Sequence, residues 1–252
     1  MFEIELAIKG KLENPIMIAG LPGMGLTGKQ ALDYLIKISN ASKISSIKSP
    51  YLGVPAVSVH NGLVEEIPEE IYSFFLASIG NRDVILFTGQ SQPATPEWQH
   101  MVAIKAIEAV SKLGVKVIYT LAATPISYFK EEVDVYGVAT TPDLVEMLRL
   151  NGVKPLMGEG AISGINGLLL GYAKKFGIDG VCLLGETYLI SGADKIAPIA
   201  VLKALSKILK IELDLKELNE EAEKFKKQMA LATKSLLMRR EEEDREKPKY
   251  IY

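Results

Sequence analysis

The sequence predicts a three-layer α/β domain on a mostly parallel sheet, followed by a long C-terminal helix. Short apolar runs alternate with longer amphipathic stretches through the first 213 residues, as in buried parallel strands joined by helices. Residues 214–252 instead hold 10 acidic and 10 basic residues, about half of the segment. We therefore expect an α/β core domain over residues 1–213, a charged amphipathic helix over 214–247 and an exposed tail over 248–252.

The composition excludes several classes of protein. The chain has 252 residues and one cysteine, Cys182, which rules out a disulfide framework and a cysteine-based zinc site. Two histidines, His60 and His100, are too few for a multi-histidine metal site. A net charge of −2 gives no general attraction for nucleic acid or an anionic membrane. The N-terminus lacks the basic region of a signal peptide, and no apolar run reaches roughly 18 residues, so we expect a cytoplasmic protein.

The strands are predicted from short apolar runs that end at glycine, threonine or proline. Buried strands are expected at residues 15–19, 84–88, 115–120 and 181–184. Residues 55–60 alternate between apolar and polar, as a half-exposed strand does, and residues 62–67 can return from it. Asn61 and Gly62 lie between them and favour a tight hairpin turn.

The helices are predicted from apolar residues at helical spacing and from their capping residues. Pro142 at the first helical position, after Thr140 and Thr141, marks the start of one helix, which Asn151 and Gly152 end. In another helix, we expect the spacing of Gly164, Gly167 and Gly171 to let the helix approach a neighbour closely. The predicted helices are 98–113, which Gly114 ends, 142–150, 161–176 and 197–209.

The C-terminal segment carries an apolar stripe with alternating spacings of three and four residues, typical of a heptad seam on one long helix. Two interpretations stay open: the helix packs on its own domain, or it packs against other subunits. Beyond Met238 the stripe gives way to a charged run, and Pro248 stops any helix. The stripe consists of Leu215, Leu218, Ala222, Phe225, Met229, Ala232 and Leu236.

A glycine-rich loop from Gly20 to Gln30 follows the first buried strand. Gly23, Gly25 and Gly28 satisfy a dinucleotide-binding spacing, and the loop from Gly23 to Lys29 partly matches a phosphate-binding loop. Gln30 stands where such a loop has the Ser or Thr that holds magnesium. We favour a structural strand-to-helix turn, with a small anion site and an ATP or NAD site as alternatives.

Three stretches together resemble the archaeal branch of the proteasome assembly chaperone family. They are LPGMGLTG at residues 21–28, GQSQP at 89–93, and 185–222, where Gly-Glu-Thr, Gly-Ala-Asp and a helix follow in one order. The resemblance covers nearly all of residues 1–230. It implies a nucleoside-phosphorylase-like α/β domain without the catalytic machinery, and therefore binding rather than catalysis, with no catalytic residues, no metal and no cofactor.

The resemblance also implies the partners. Members of the family bind the proteasome core particle or its α-subunits and form homo-oligomers. For this chain we expect a tetramer or a pentamer. A homologous partner chain could also join the oligomer. Some archaeal relatives act as ATP-independent activators, and activator tails end in a hydrophobic residue, tyrosine and any residue. In this chain Tyr250, Ile251 and Tyr252 are the partner-binding candidates. Ile251 stands where that tail motif has tyrosine, so the residue types are present in a shifted register.

An enzyme is the alternative hypothesis. The chain would then bind phosphate or a nucleoside through the loop from Gly23 to Lys29, and replacing Lys29 would abolish activity, whereas removing the tail would be harmless. The chaperone hypothesis predicts the reverse result for both changes. Neither hypothesis calls for nucleic acid or a membrane as a partner.

Overall fold

The computed structural model describes residues 3–4, 11–49, 52, 57–65, 70–189 and 192–246. The chain divides into two units, Met1–Leu213 and Asp214–Tyr252. The strands described in the first unit are β1 (Glu3–Ile4), β2 (Ile16–Gly20), β3 (Ser42–Lys48), β4 (Val59–His60), β5 (Leu63–Val64), β6 (Glu70–Ile79), β7 (Arg82–Gly89), β8 (Val117–Pro125), β9 (Val135–Ala139), β10 (Lys154–Pro155) and β11 (Asp179–Thr187).

The described α-helices of the first unit lie between strands, except for the last one, which follows β11. They are α1 (Thr27–Ile38), α2 (Pro96–Lys112), α3 (Pro142–Leu150), α4 (Gly164–Lys175) and α5 (Ala197–Leu209). The second unit contains α6 (Lys216–Glu246), where Asp214 Oδ1 accepts a hydrogen bond from the Lys216 N–H at 3.0 Å and so caps the helix start. None of the helices described is both long and apolar enough to cross a membrane.

The described strands of the large sheet run in the order β1-β3-β6-β7-β2-β8-β11-β9-β10. Its centre, β7-β2-β8-β11, is parallel throughout. Toward the edges β1, β3, β6 and β9 pair antiparallel with their inner neighbours, and β10 pairs parallel with β9. The parallel centre confirms the predicted fold class, because strands buried on both faces require the continuous apolar runs that the sequence shows there.

Two helical layers cover the sheet. Met17 and Ala19 of β2 belong to a buried cluster with Val102 and Ala106 of α2 and Leu169 of α4. On the other face α1 contacts β2 and β8, and α5 contacts α1 and β11. Helix, sheet and helix therefore form the three layers that the alternating sequence pattern predicts.

The predicted hairpin is present but more exposed than its pattern indicates. Val59 pairs with Val64 and His60 with Leu63, around a turn in which Asn61 and Gly62 both have positive φ, at 51° and 81°. These angles suit the tight turn that joins two twisted strands. We expected one exposed face, yet every residue from 57 to 65 is exposed. Residues 55–56 and 66–67 of the predicted strands lie outside the described residues.

The prediction for the glycines of α4 is wrong. Gly164 has a φ of +74° at the helix start, and a Cβ at Gly167 would lie 1.9 Å from the Ile162 carbonyl oxygen of the preceding loop. A Cβ at Gly171 would meet nothing within 4 Å. These glycines therefore shape the entry into the helix and do not form a packing seam against a neighbouring helix.

Candidate functional site

A cleft of about 330 Å³ lies at the carboxyl ends of the central strands. The chain leaves β2 through α1 toward β3, on one side of the sheet, but leaves β7 through α2 toward β8, on the other. Such a switch in direction is where open α/β sheets bind ligands. The described lining is apolar apart from glycines and neutral polar residues such as Gln92, Ser163 and Asn166, with no charged side chain among them.

The glycine-rich loop beside this cleft is shaped by close backbone packing. A Cβ at Gly28 would lie 1.9 Å from the Leu121 carbonyl oxygen, and one at Gly20 would lie 2.2 Å from the Gly28 carbonyl oxygen. Only glycine therefore lets the first turn of α1 lie directly against β2 and β8. Gly25 has a φ of +60°, which glycine adopts without strain.

The contacts of the side chains in this loop indicate a structural turn. Lys29 Nζ donates to Asp33 Oδ1 at 2.6 Å, one helical turn further on, and Lys29 does not line the cleft. Gln30 Nε2 donates to the carbonyl oxygens of Gly25 at 3.0 Å and Asp194 at 2.8 Å. Both residues that a phosphate-binding loop would direct at its ligand are thus engaged within the protein.

Asp194 organises a buried network at the same edge. Its Oδ2 accepts a hydrogen bond from Thr187 Oγ1 at 2.6 Å, and its N–H donates to the Gly25 carbonyl oxygen at 2.8 Å. Its Oδ1 accepts from the N–H groups of Ile196 at 2.7 Å and Ala197 at 3.1 Å. Asp194 therefore satisfies donors at the start of α5 and joins that helix to the end of β11 and to the glycine-rich loop.

Gln92 gives the GQSQP motif a comparable function. Its Nε2 donates to the Pro22 carbonyl oxygen at 2.6 Å, and its Oε1 accepts from the Ile165 N–H at 2.9 Å. The Tyr72 hydroxyl donates to the Ser91 carbonyl oxygen at 2.8 Å, and burial raises the pKa of this tyrosine. The motif thus ties the glycine-rich loop to the start of α4.

Glu186 of the Gly-Glu-Thr motif is buried and engaged. Its Oε2 accepts hydrogen bonds from Lys130 Nζ at 2.7 Å and from the Asp134 N–H at 3.1 Å. The hydrogen bond to Glu186 raises the pKa of Lys130, and a similar bond to Asp134, at 2.6 Å, raises the pKa of Lys154. This carboxylate therefore holds the segment after β8 in place.

The other chemically reactive residues lie apart. Cys182 is fully buried in β11, and burial raises the pKa of its thiol to about 12. His60 lies in the exposed hairpin, whereas His100 Nδ1 lies 2.8 Å from the Tyr172 hydroxyl on the surface of α2 and α4. In the part of the chain that the structure describes, no three His, Cys, Asp or Glu side chains are grouped to hold a metal ion. Tyr250, Ile251 and Tyr252 lie outside the described residues.

Comparison with known proteins identifies the family. The sequence profile of the PAC2 family matches residues 17–232. The chain belongs to the PAC2 family. An uncharacterized protein of Methanocaldococcus jannaschii is 33% identical over 214 residues, covering 84% of this chain and 80% of that protein.

Two solved structures of Pyrococcus furiosus are similar to this PAC2 protein. PbaB, described as an archaeal proteasome activator, is 32% identical, with a TM-score of 0.79 over 92% of this chain and 98% of PbaB. PbaA, described as an archaeal homolog of proteasome-assembly chaperone, is 25% identical, with a TM-score of 0.73 over 95% of this chain and 100% of PbaA. Both matches cover nearly the whole chain. Together with the PAC2 profile, they confirm the resemblance to proteasome assembly chaperones that the three motifs predict.

The structure shows which residues of the motifs contact one another, which the sequence could not show. The sequence marks Gly-Glu-Thr and Gly-Ala-Asp only as an ordered pair of motifs. The fold brings Thr187 and Asp194 together with Gly25 and Gln30 of the glycine-rich loop. An Asp placed shortly before a helix is a capping signal that could have indicated the function of Asp194 at α5.

Proposed function

We propose that this chain is a non-enzymatic proteasome assembly chaperone or ATP-independent activator that binds the proteasome core particle through its C-terminal tail. One observation carries the proposal: the 32% identity to the proteasome activator PbaB over 92% of this chain. The similarity to PbaA supports the assembly function in the same way. In this proposal the chain acts in the cytoplasm without a cofactor.

The geometry of the carboxyl edge supports binding rather than catalysis. Thr187, Asp194 and Gln30 bond to one another or to backbone groups, and Glu186 is paired with Lys130. A general base or nucleophile needs a side chain that reaches a substrate. The described lining of the adjacent cleft offers neutral groups only, and Cys182 is buried away from it with a raised pKa.

The tail is proposed to act in several copies at once. The core domain over residues 1–213 would form a homo-oligomer, tetramer or pentamer, from which the helix over 214–247 carries residues 248–252. Helix α6 has 31 residues and so spans roughly 46 Å at 1.5 Å per residue. Each tail buries little surface, but copies held on one assembly raise the effective concentration for the next binding event.

The test is capture of an archaeal core particle without nucleotide by the intact protein and by a variant lacking Tyr250, Ile251 and Tyr252. Capture by the intact chain only is the expected result. The Ile251→Tyr variant is a second test, since it places tyrosine at the penultimate position, as in the activator motif, and keeps the tail length. We expect this variant to bind at least as tightly, and a peptidase assay on the captured particle then separates activation from assembly.

Failure to capture assembled particles would redirect the proposal to free α-subunits or to a complex with a homologous chain. Binding by the truncated chain as strongly as by the intact one would overturn docking through the tail.

The phosphate- or nucleoside-binding enzyme has one observation in its favour, the position of the cleft at the switch point of the sheet. It requires nucleotides or phosphate to raise the thermal midpoint and Lys29→Ala to remove that effect.

A further inference from the structure

The hairpin formed by residues 57–65, here called the projecting hairpin, stands out by its exposed apolar surface. Val57, Val59, Leu63 and Val64 are 48%, 63%, 73% and 68% exposed, and all nine residues of the segment are exposed. Val59 and Val64 form a directly opposed pair, and His60 and Leu63 form the next. Because successive side chains of a strand point to opposite faces, both faces of the hairpin present apolar groups.

An isolated two-stranded hairpin is marginally stable in water. Among the described strands β4 pairs with β5 and with no strand of the large sheet. Neither face is covered by the described residues, so the turn formed by Asn61 and Gly62 is the main local reason for its shape. A contiguous exposed apolar patch of this kind typically marks an interaction surface.

The hydrogen-bond pattern shows what the hairpin offers a partner. The Glu65 N–H donates to the Ser58 carbonyl oxygen at 2.9 Å, so Ser58 and Glu65 form a hydrogen-bonded pair. Antiparallel pairs alternate, and Val59 and Val64 between them are therefore a non-hydrogen-bonded pair. Their backbone N–H and C=O groups consequently point to the outer edges, Val59 on the β4 side and Val64 on the β5 side. Such an edge is a template for another strand.

The charged residues near the projecting hairpin indicate which kind of partner it binds and which of its two edges the partner approaches. Residues 57–64 carry no acidic or basic side chain other than His60, whereas acids follow directly at Glu65 and Glu66 and again at Glu69 and Glu70. These acids disfavour an anionic membrane or nucleic acid. In the sequence these acids follow β5, whereas residues 50–58 before β4 carry no charge, so we expect a second copy to meet less like-charge repulsion when it approaches along β4.

We propose that the β4 edge pairs antiparallel with the β4 edge of a second copy of this chain. The contact is isologous, since the same edge is used by both copies. It joins the two hairpins into a four-stranded sheet, supplies partners for the outward backbone groups of Val59, and brings the apolar side chains of Val57 and Val59 next to their counterparts. The inference rests on the proposed homo-oligomer but needs no contact with the proteasome.

This contact restricts the number of subunits. An isologous edge links copies in pairs, so every β4 edge is used only in an assembly with an even number of chains. Of the two proposed states, the tetramer satisfies this condition and the pentamer leaves one hairpin unpaired. The pairing therefore favours a tetramer built from two hairpin-linked dimers.

Two matched substitutions test the edge. Val59→Pro and Val64→Pro each replace an exposed valine by proline at a position whose N–H points outward, so neither removes a hydrogen bond inside the hairpin. Analytical ultracentrifugation of the full chain measures association. We expect Val59→Pro to raise the dissociation constant of the hairpin-linked pair at least about tenfold, and Val64→Pro to change it less than about threefold.

Equal weakening by both variants, no change with Val59→Pro, or a native assembly with an odd number of chains would each overturn the inference. Failure of the hairpin contact can be distinguished from failure of the proposed function. A native protein that stays monomeric overturns both the hairpin contact and the proposed homo-oligomer. A native oligomer that Val59→Pro leaves intact overturns the hairpin contact alone, and capture of the core particle by that variant measures the tail independently.

Discussion

Thr187 Oγ1 donates a hydrogen bond to Asp194 Oδ2 at 2.6 Å, and both side chains are buried at the carboxyl edge of the sheet. This bond links the end of β11 to the start of α5. Since Asp194 also donates its N–H to the Gly25 carbonyl oxygen, two of the three stretches that carry the family resemblance, residues 21–28 and 185–222, hold one another in position. Their presence in the sequence therefore reflects a structural requirement of the fold.

Replacing Asp194→Ala should destabilise the protein by about 2–4 kcal/mol, because Thr187 and the first N–H groups of α5 lose a buried charged acceptor. Chemical denaturation measures the free energy of unfolding. Asp214→Ala is the matched control, since Asp214 caps α6 from an exposed position, and should cost at most about 1 kcal/mol. Equal losses would show that burial of the Asp194 network adds nothing.

Gly28→Ala and Gly171→Ala should have opposite effects, although both place a methyl group in a helix. At Gly28 the new Cβ would lie 1.9 Å from the Leu121 carbonyl oxygen, so α1 must shift, at a cost of about 2–4 kcal/mol. At Gly171 the Cβ meets open space, and alanine should stabilise the helix by about 0.5–1 kcal/mol. Thermal melts of the two variants beside the native chain check both signs.

Much of the fold could be predicted because its central strands are continuous apolar runs and most of its helices show apolar residues at helical spacing. Helix α3 begins and ends at the predicted residues, where Thr141 Oγ1 accepts from the Leu144 N–H. Strand β6 was missed because it alternates: Tyr72 and Phe74 are buried, whereas Ser73 and Phe75 are half-buried. An antiparallel strand near the edge of a sheet needs no continuous apolar run, and so resembles a loop of mixed composition.

The site was less predictable for a different reason. The glycine-rich loop satisfies two ligand-binding patterns, and only the fold shows that Gly28 packs on Leu121 and that Lys29 bonds to Asp33. The network of Gly25, Gln30 and Asp194 joins residues more than 160 positions apart. No local spacing reports such a contact. The tail residues that carry the proposed function stay a prediction from the sequence.

Cys182 should make stability fall with rising pH between about 9 and 12. Burial raises its pKa from 9.0 to about 12, so the unfolded chain releases the thiol proton first. Stability from the protonated thiol is therefore complete below pH 9 and is lost as the pH rises through the folded-state pKa. Denaturation at pH 8 and pH 10.5 should show a smaller decline for Cys182→Ala than for the native chain. A decline of the same size in both would contradict the raised pKa.

The same burial should protect Cys182 from reagents. At pH 8 a disulfide reagent such as dithionitrobenzoate should react with the native chain only as fast as the protein opens, because the thiol is fully buried. The reaction should be complete within the mixing period in guanidinium chloride. The destabilised Gly28→Ala variant should react faster than the native chain under native conditions, whereas Gly171→Ala should not. Rapid labelling of the folded native protein would instead indicate an accessible, reactive cysteine.

Replacing Lys29→Met should leave stability and capture of the core particle nearly unchanged. This substitution therefore separates the chaperone hypothesis from the enzyme hypothesis. Lys29 pairs with Asp33 on the same helix at 2.6 Å and does not line the cleft, and such pairs on a helix surface contribute about 0.3–0.5 kcal/mol. We expect an equal thermal midpoint within a few degrees and equal capture of the core particle. Because methionine keeps the length of the apolar stem, a large loss would point to the ammonium group itself. Loss of nucleotide-dependent stabilisation in this variant, with capture unaffected by deletion of the tail, is the result that would favour the enzyme over the chaperone.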